Sequence, residues 1–212
     1  MAGTIKEARL SLSDRALRVF ARGMVAVVQR PVVHGPKPAL DGPAIFIGRH
    51  VGLMDPVILM VEYYHRLLHP LVALDYYEKN AFTRAFYTHA QCIPVDRKNH
   101  SQQWLEDALA ALGRGESIII FPEGRRSKEG DQLLPFHTGA VRLSALSGAP
   151  LIPVWNERWH FPKPYRLAIG EPFHVGAVPE GGMDREWLHE EAEIMREKVA
   201  ALRQRIPLSQ DR

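Results

Sequence analysis

The sequence predicts an α/β fold in which a mixed, mostly parallel sheet is flanked by helices, and three observations predict it. Short apolar runs of strand length recur along the 212 residues, amphipathic runs of helix length lie between them, and polar residues suited to chemistry follow the strands. The length and the composition, 46% apolar and 24% charged, are those of one folded domain. We expect this domain over residues 31–212, preceded by an N-terminal amphipathic helix over residues 1–30.

Residues 11–30 have the pattern of an amphipathic helix that begins at a capping box of Ser11 and Asp14. The apolar residues at helical spacing are Leu17, Phe20, Met24 and Val27, and the basic residues on another face are Arg15, Arg18 and Arg22. A stripe of this kind with basic flanks is typical of a helix in a membrane interface, but also of a helix packed on its own domain. Both interpretations stay open at this point.

The next elements alternate between strand and helix. Residues 44–48 are a short apolar run that predicts a buried strand. Residues 56–68 predict a helix, with Asp55 at its cap position, Pro56 in its first turn and apolar side chains nearly all round. A further strand is expected over residues 71–74.

The middle and the end of the chain continue this alternation. A helix over residues 101–113 is predicted by a cap at Ser101, an apolar stripe and a stop at Gly113. Residues 117–121 are the clearest buried strand of the sequence. The other predicted elements are helices over residues 79–89, 139–146 and 183–204, a strand end at residues 93–95, and strands over residues 151–154 and 165–169.

Charge and cysteine content narrow the class of partner and compartment. The net charge of +3 and the pI of about 9.1 suit an anionic partner such as a phosphate ester or an acidic membrane surface, and no nucleic-acid-binding motif is present. Cys92, the one cysteine, predicts no disulfide, no cysteine-based metal site and a reducing, intracellular compartment. We interpret Cys92 as a small buried hydrophobe and not as a nucleophile.

Membrane insertion is not expected from the sequence. No apolar run reaches the roughly 18–20 residues needed to span a bilayer, and the N-terminus lacks the pattern of a signal peptide. If the protein meets a membrane, we expect it to do so from one side.

His50 and Asp55 form the first candidate site, in an H-x-x-x-x-D pattern that follows the predicted strand over residues 44–48. A turn of this length can fold the carboxylate back onto the imidazole. A carboxylate bound to one ring nitrogen fixes the tautomer, so that the other nitrogen can take a proton from a hydroxyl group. The pattern alone is weak, because ten histidines give such spacings often by chance.

Two basic turns form the second candidate site. Phe121 to Ser127 reads F-P-E-G-R-R-S directly after the strongest strand, where Gly124 allows close backbone approach and the arginine side chains match phosphate geometry. A solvated basic turn is the alternative for this segment by itself. Arg97 also follows a strand end, at residues 93–95. A fourth segment, over residues 150–154, is apolar and carries two prolines, which favour a sheet edge or a strand start.

Taken together, these segments resemble the glycerophospholipid acyltransferase family, and within it the 1-acylglycerol-3-phosphate acyltransferases. The family's N-H-x-x-x-x-D block is similar to residues 49–55, and its F-P-E-G-T-R-S block to residues 121–127. An arginine after an apolar strand matches Arg97, and a V-P-I-V-P-V strand is similar to residues 149–154. With a late G-x-P-[IF] turn at residues 170–173, the resemblance covers residues 30–175.

The resemblance implies that a fatty acyl chain moves from acyl-CoA or acyl carrier protein to a hydroxyl of a lysophospholipid such as 1-acylglycerol-3-phosphate. His50 is then the general base and Asp55 the residue that orients it. The residues expected at the acceptor and its phosphate are Arg97, Glu123, Gly124, Arg125 and Arg126. Pro153 is expected on the acyl side. No metal or redox cofactor is implied, since the thioester is already activated, and the expected location is cytoplasmic, peripheral at the inner face of a membrane.

Two departures from the family pattern leave the identity of the acyl acceptor open. Arg49 stands where the family has asparagine, and Arg125 where it has threonine. Each adds positive charge near the expected acceptor site, unless both side chains point to solvent. A non-catalytic lipid-binding module of the same fold is the alternative function. A hydrolase would need a protein nucleophile, and Ser127 and Ser144 qualify by residue type only, outside any G-x-S-x-G pattern.

Overall fold

A seven-stranded sheet forms the centre of the computed structural model, which describes residues 19, 22–99, 101–127 and 132–207. The strands are β1 (Val32–His34), β2 (Ile45–Gly48), β3 (Leu68–Ala73), β4 (Ile93–Val95), β5 (Ser117–Ile120), β6 (Leu151–Asn156) and β7 (Arg166–Ile169). The helices are α1 (Asp55–Glu62), α2 (Leu74–Tyr77), α3 (Ala81–His89), α4 (Gln103–Gly113), α5 (Gly139–Ser147) and α6 (Arg185–Ala201), followed by a 3₁₀ turn over Leu202–Arg205. Residues 22–28 are also helical.

The sheet is mixed and mostly parallel, which confirms the predicted fold class. Its strand order is β1-β7-β6-β2-β5-β3-β4, and all neighbours pair in parallel except β6 and β7. The carboxyl ends of β2, β3, β4, β5 and β6 therefore lie at one side of the sheet, here named the carboxyl edge. In open α/β sheets, ligands bind at this edge, in the loops that leave the strands.

Two helical layers cover the two faces of the sheet. Ile45 and Ile118 face the layer formed by α4, α5 and α6, whereas Phe46 and Ile119 face the layer that contains α1. All four side chains are fully buried, and adjacent strands place them side by side in register. Burial of each such side chain stabilises the fold by about 1.5–3 kcal/mol. The strands that carry the candidate site are thus anchored in the best-packed part of the molecule.

The helix predicted over residues 56–68 is shorter than expected and ends at Glu62. Tyr63 is buried under the sheet, and Arg66 closes the following turn by donating to the backbone carbonyls of Leu40 and Gly42. Leu68 already pairs with β5. The apolar pattern of these residues belongs to a helix, a turn and a strand that all face the same core, and periodicity alone does not separate them.

Pro153 lies inside the sheet, so its predicted place at an edge or a strand start is wrong. Its strand β6 runs between β2 and β7. The backbone of Pro153 faces β7, where its carbonyl accepts a 2.8 Å hydrogen bond from the N–H of Gly170. The N–H that proline lacks would face Gly170, where the regular pairing of β7 has already ended at Ile169.

The N-terminal helical segment turns part of its predicted apolar stripe outward. Met24 is 54% exposed and Val27 is 78% exposed, whereas Val25 and Gln29 are buried against the domain. The predicted cap at Ser11 and Asp14 and the stripe residues Leu17 and Phe20 lie outside the described residues. Among the helices that the structure describes, none has the length and apolar character needed to cross a membrane.

Candidate active site

The carboxyl edge brings together the segments singled out in the sequence. His50 follows β2, Arg97 follows β4, and the turn that begins at Phe121 follows β5. The backbone N–H of Ser127 donates a 2.7 Å hydrogen bond to the carbonyl of His50, so the two segments are joined directly. Segments that are more than 70 residues apart in the sequence thus form one site.

His50 and Asp55 are in contact through a short hydrogen bond. Nδ1 of His50 lies 2.8 Å from Oδ2 of Asp55, whose side chain is fully buried. A carboxylate at Nδ1 favours the tautomer with the proton on Nδ1, which gives Nε2 an available lone pair. The His50 side chain is 21% exposed, so part of its ring is accessible from outside the protein.

The Asp55 carboxylate is held on all sides. Its Oδ2 also accepts the backbone N–H groups of Val51 at 2.7 Å and Gly52 at 2.9 Å, and its Oδ1 accepts the hydroxyl of Tyr165 at 2.8 Å. Asp55 is the first residue of α1, which places its negative charge at the positive end of the helix dipole. No sequence motif pointed to Tyr165 as a partner of Asp55, because no local pattern links residues 110 positions apart.

Phe121 fixes the plane of the histidine ring. The two rings are stacked with centroids 4.3 Å apart and an angle of 14° between their planes. Together with the bond to Asp55, this contact leaves the imidazole one orientation. A general base needs this fixed geometry, because proton transfer depends on the distance to the substrate hydroxyl.

Glu123 is buried and binds backbone groups of two loops. Its Oε1 accepts the N–H of His50 at 2.9 Å, and its Oε2 accepts the N–H of Leu134 at 3.1 Å. Burial raises the pKa of its carboxyl, against the opposing effects of these two hydrogen bonds and of the charge of Arg49. The predicted contact of Glu123 with an acceptor stays a prediction, since both oxygens already serve the protein backbone.

Gly124 and Arg97 form the rim of the site. Gly124 has a φ of +66°, and a Cβ at this position would lie 2.9 Å from the ring of His137, so the turn requires glycine. Arg97 donates to the carbonyl of Gly124 at 3.0 Å and pairs with Asp75 at 3.0 Å. Its side chain is 46% exposed. A partly exposed guanidinium at this edge of the sheet is suited to an anionic group of a ligand.

The remaining arginines differ in their surroundings. Arg125 and Arg126 are both exposed at the turn after β5. Arg49 is 2% exposed, lies with its guanidinium 4.7 Å from the ring centre of Trp155, and donates to the carbonyl of Asn156. Arg49 therefore does not point to solvent. Its charge acts on the buried carboxyl of Glu123 from inside the domain.

Pro153, Ser144 and Cys92 have their described contacts outside the dyad, whereas Ser127 adjoins His50 through its backbone. Pro153 lies in the sheet next to Gly170, and its place on the acyl side stays a prediction. The hydroxyl of Ser144 donates to the carbonyl of Ala149 at 2.8 Å. Burial raises the pKa of Cys92 to about 12, which opposes a role as thiolate nucleophile.

A cavity of about 210 Å³ adjoins Asp55 on the side of Tyr165. Its walls include Leu53, Trp159 and His160. Within the described ranges, no group of three His, Cys, Asp or Glu side chains is placed to hold a metal ion. The candidate site thus has an oriented imidazole, arginine side chains on loops of the same edge, and a small, partly apolar space next to Asp55.

Comparison with known proteins adds three findings. Residues 30–157 match the sequence model of the acyltransferase family. A 1-acyl-sn-glycerol-3-phosphate acyltransferase of Bacillus subtilis is 29% identical over 140 residues, which is 63% of this chain and 68% of the relative. The enzyme of that name from Limnanthes douglasii is 31% identical over 118 residues, and the match covers 52% of this chain and 40% of the plant protein.

A solved structure has the same fold. The crystal structure of the 1-acyl-sn-glycerophosphate (LPA) acyltransferase PlsC from Thermotoga maritima superposes with a TM-score of 0.64 over 92% of this chain and 81% of that protein. The two sequences are 21% identical, so this likeness concerns the fold.

Proposed function

This chain belongs to the acyltransferase family, and we propose that it transfers a fatty acyl group from a thioester to the free hydroxyl of 1-acylglycerol-3-phosphate or a closely similar lysophospholipid. The observation that carries the proposal is the 2.8 Å bond between His50 and the buried Asp55, next to exposed arginines at the carboxyl edge. The relatives from Bacillus subtilis and Limnanthes douglasii are named for this reaction.

The proposed reaction uses His50 as base and then as acid. Nε2 takes the proton of the acceptor hydroxyl, and the oxygen attacks the carbonyl carbon of the thioester. The tetrahedral intermediate collapses, the C–S bond breaks, and the leaving thiolate takes the proton back from His50. Asp55 stabilises the imidazolium between these two proton transfers. The products are the ester and the free thiol, and the enzyme returns to its initial state.

We propose that the exposed arginines bind the acceptor phosphate. Arg97, Arg125 and Arg126 lie on the rim formed by the loops after β4 and β5. Arginine side chains bind phosphate through paired, charge-assisted hydrogen bonds. The buried Arg49 supplies positive charge from below the site but not a direct contact.

The donor is proposed to be acyl-CoA or acyl carrier protein, each of which presents the acyl group as a thioester. A thioester is already activated for transfer, so the reaction as proposed requires no metal or redox cofactor. The lipid acceptor places the enzyme at a membrane surface, which we propose to be the inner, cytoplasmic face. The exposed Met24 and Val27 support this location, since an apolar helix face beside basic residues suits a lipid interface.

An assay with one labelled acyl-CoA, the corresponding acyl carrier protein and a panel of lysolipids tests the function. We expect ester formation with 1-acylglycerol-3-phosphate, and loss of it in His50→Ala with the fold retained. His174→Ala, which changes an exposed histidine, is the matched control. Full activity in a folded His50→Ala variant would overturn the proposed base. Binding of lysolipid without transfer to any acceptor would favour the non-catalytic lipid-binding module.

A further inference from the structure

Tyr165 contacts the catalytic pair from the position directly before β7, outside the motifs that marked the candidate site. Its hydroxyl donates a 2.8 Å hydrogen bond to Oδ1 of Asp55. The three other donors to this carboxylate, which are Nδ1 of His50 and the N–H groups of Val51 and Gly52, all converge on Oδ2. Each oxygen of the carboxylate is thus assigned to a different set of partners.

The backbone of Tyr165 is fixed on both sides. Its N–H donates to the carbonyl of Gln29 at 2.7 Å, and its carbonyl accepts the N–H of Val32 at 2.8 Å. The residue directly precedes β7 and is 1% exposed. A buried aromatic side chain on a pinned backbone has few rotamers available, so the position of the hydroxyl is set by the fold.

The phenol of Tyr165 is neutral near pH 7. Burial raises the pKa of Tyr165 well above its usual value, and the adjacent charge of Asp55 raises it further. A neutral phenol has one proton to donate, and Oδ1 of Asp55 is its partner.

The hydrogen bond from Tyr165 restrains the torsion of the Asp55 carboxylate about its Cβ–Cγ bond. Terminal sp³–sp² torsions such as that about the Cβ–Cγ bond have broad minima, so hydrogen bonds decide how far the carboxylate turns. Rotation about this bond moves both oxygens, and the bond at Oδ1 therefore adds, from the opposite side, to the restraint that the three bonds at Oδ2 impose. Removing the bond at Oδ1 leaves the dyad present but less well oriented, and small errors of orientation are costly in proton transfer.

We propose that Tyr165 is a positioning residue for acyl transfer, because its hydroxyl helps to fix the plane of the Asp55 carboxylate and thereby the tautomer and orientation of His50. This inference rests on the proposed function, since it treats His50 as the base. A purely structural tie between β7 and α1 would instead affect stability and leave the imidazole unchanged.

The test compares Tyr165→Phe with Tyr63→Phe in the full chain. Tyr63 is the matched control, because it is equally buried in the same core and its hydroxyl donates only a 3.4 Å bond to the carbonyl of Pro38. We expect Tyr165→Phe to lower kcat by about 10- to 100-fold with both KM values within about twofold, as for loss of one buried bond to a charged group. Tyr63→Phe should retain the wild-type kcat.

A spectrum of ¹⁵N-histidine-labelled protein gives a second readout that does not depend on activity. The signals of His50 are identified by their absence in His50→Ala, and their shifts report the share of the Nδ1–H tautomer. We expect that share to fall in Tyr165→Phe and not in Tyr63→Phe. If kcat and the His50 signals of the two variants agree, the inference is overturned.

The two readouts separate failure of the inference from failure of the proposed function. If the wild-type chain transfers no acyl group to any acceptor, the proposed function fails, and the His50 signals alone decide the role of Tyr165. If Tyr165→Phe does not fold, 3-fluorotyrosine at position 165 keeps the hydroxyl and changes its acidity. A shift in the His50 signals of that protein supports the inference, and unchanged signals overturn it.

Discussion

The backbone N–H of His50 donates a 2.9 Å hydrogen bond to the buried carboxylate of Glu123. The carbonyl of His50 accepts the N–H of Ser127, so both backbone groups of the histidine are bound by the turn after β5. The acidic residue of that turn therefore positions the backbone of His50, the proposed base, whatever contact the turn also makes with a ligand. The segment that carries His50 and the turn of residues 121–127 thus form one structural unit.

Glu123→Gln is expected to lower kcat by about tenfold or more. Glutamine has the same size but replaces one accepting oxygen by an NH₂ group, so either His50 or Leu134 loses its backbone acceptor. Steady-state kinetics with varied acceptor measures the effect, and the exposed Glu180→Gln is the control. A rise in the acceptor KM with unchanged kcat would instead show that Glu123 binds the acceptor.

The sequence predicted those parts of the fold and site that local patterns encode. The apolar runs around Phe46 and Ile119 are central strands, and the spacing of His50 and Asp55 fits a strand-to-helix turn. Each of these signals lies within a few residues. The loops then meet because parallel strands end at the same edge of the sheet.

What the sequence did not predict depends on contacts between distant segments. β1 has three residues and pairs only with β7, so its apolar run is too short to stand out. Arg49 is buried on Trp155, which is more than 100 positions away, although an arginine at a site normally suggests the rim. The contact of Tyr165 with Asp55 spans 110 residues. Tertiary packing decides such positions, and one sequence carries no local trace of it.

Asp55→Asn is expected to lower kcat by about 10³-fold or more. The asparagine NH₂ group cannot accept the hydrogen bonds that converge on Oδ2, and the wrong tautomer of His50 becomes favoured. Activity at saturating substrate measures the loss, with the exposed Asp41→Asn as control. Retention of more than about a tenth of the wild-type kcat in a folded variant would contradict the assigned role of Asp55.

Arg126→Ala is expected to raise the KM for 1-acylglycerol-3-phosphate by about tenfold, since a charge-assisted hydrogen bond to phosphate is lost. The penalty should disappear with 1-acylglycerol, which lacks the phosphate, and should decrease as salt is added. Arg125→Ala changes the neighbouring position, where the family has threonine. The same measurements on this variant show whether Arg125 also binds the phosphate. An equal loss with both acceptors would mean that Arg126 supports the turn and does not bind phosphate.

Met24→Ser combined with Val27→Ser is expected to reduce binding to vesicles of anionic lipid by about tenfold or more, since two exposed apolar side chains no longer enter the interface. Sedimentation with vesicles measures the bound fraction. The control combines Val178→Ser and Ile194→Ser, two exposed apolar residues elsewhere on the domain. Equal sedimentation of the two double variants would remove the N-terminal helical segment from the membrane contact.

Glu116 directly precedes β5 and links it to β3, at the side of the sheet opposite the carboxyl edge. Its buried carboxylate accepts two hydrogen bonds from Arg114, at 3.0 and 2.6 Å, and contacts Nε2 of His69 in β3 at 2.9 Å. Burial opposes its ionisation, but the hydrogen bonds from Arg114 and the charge of His69 outweigh burial and lower the pKa of Glu116. Ionised Glu116 therefore stabilises the folded state.

Glu116→Gln is expected to lower the free energy of unfolding by about 2 kcal/mol near neutral pH, because the bonds to Arg114 and His69 lose their charge. Since the pKa of Glu116 is lower in the folded than in the unfolded state, its contribution is complete above about pH 5 and is lost as the pH falls through the folded pKa. Urea unfolding of both proteins at pH 7, 5 and 3.5 measures the difference. A difference that stays constant over these three conditions would show that shape, and not charge, makes Glu116 important.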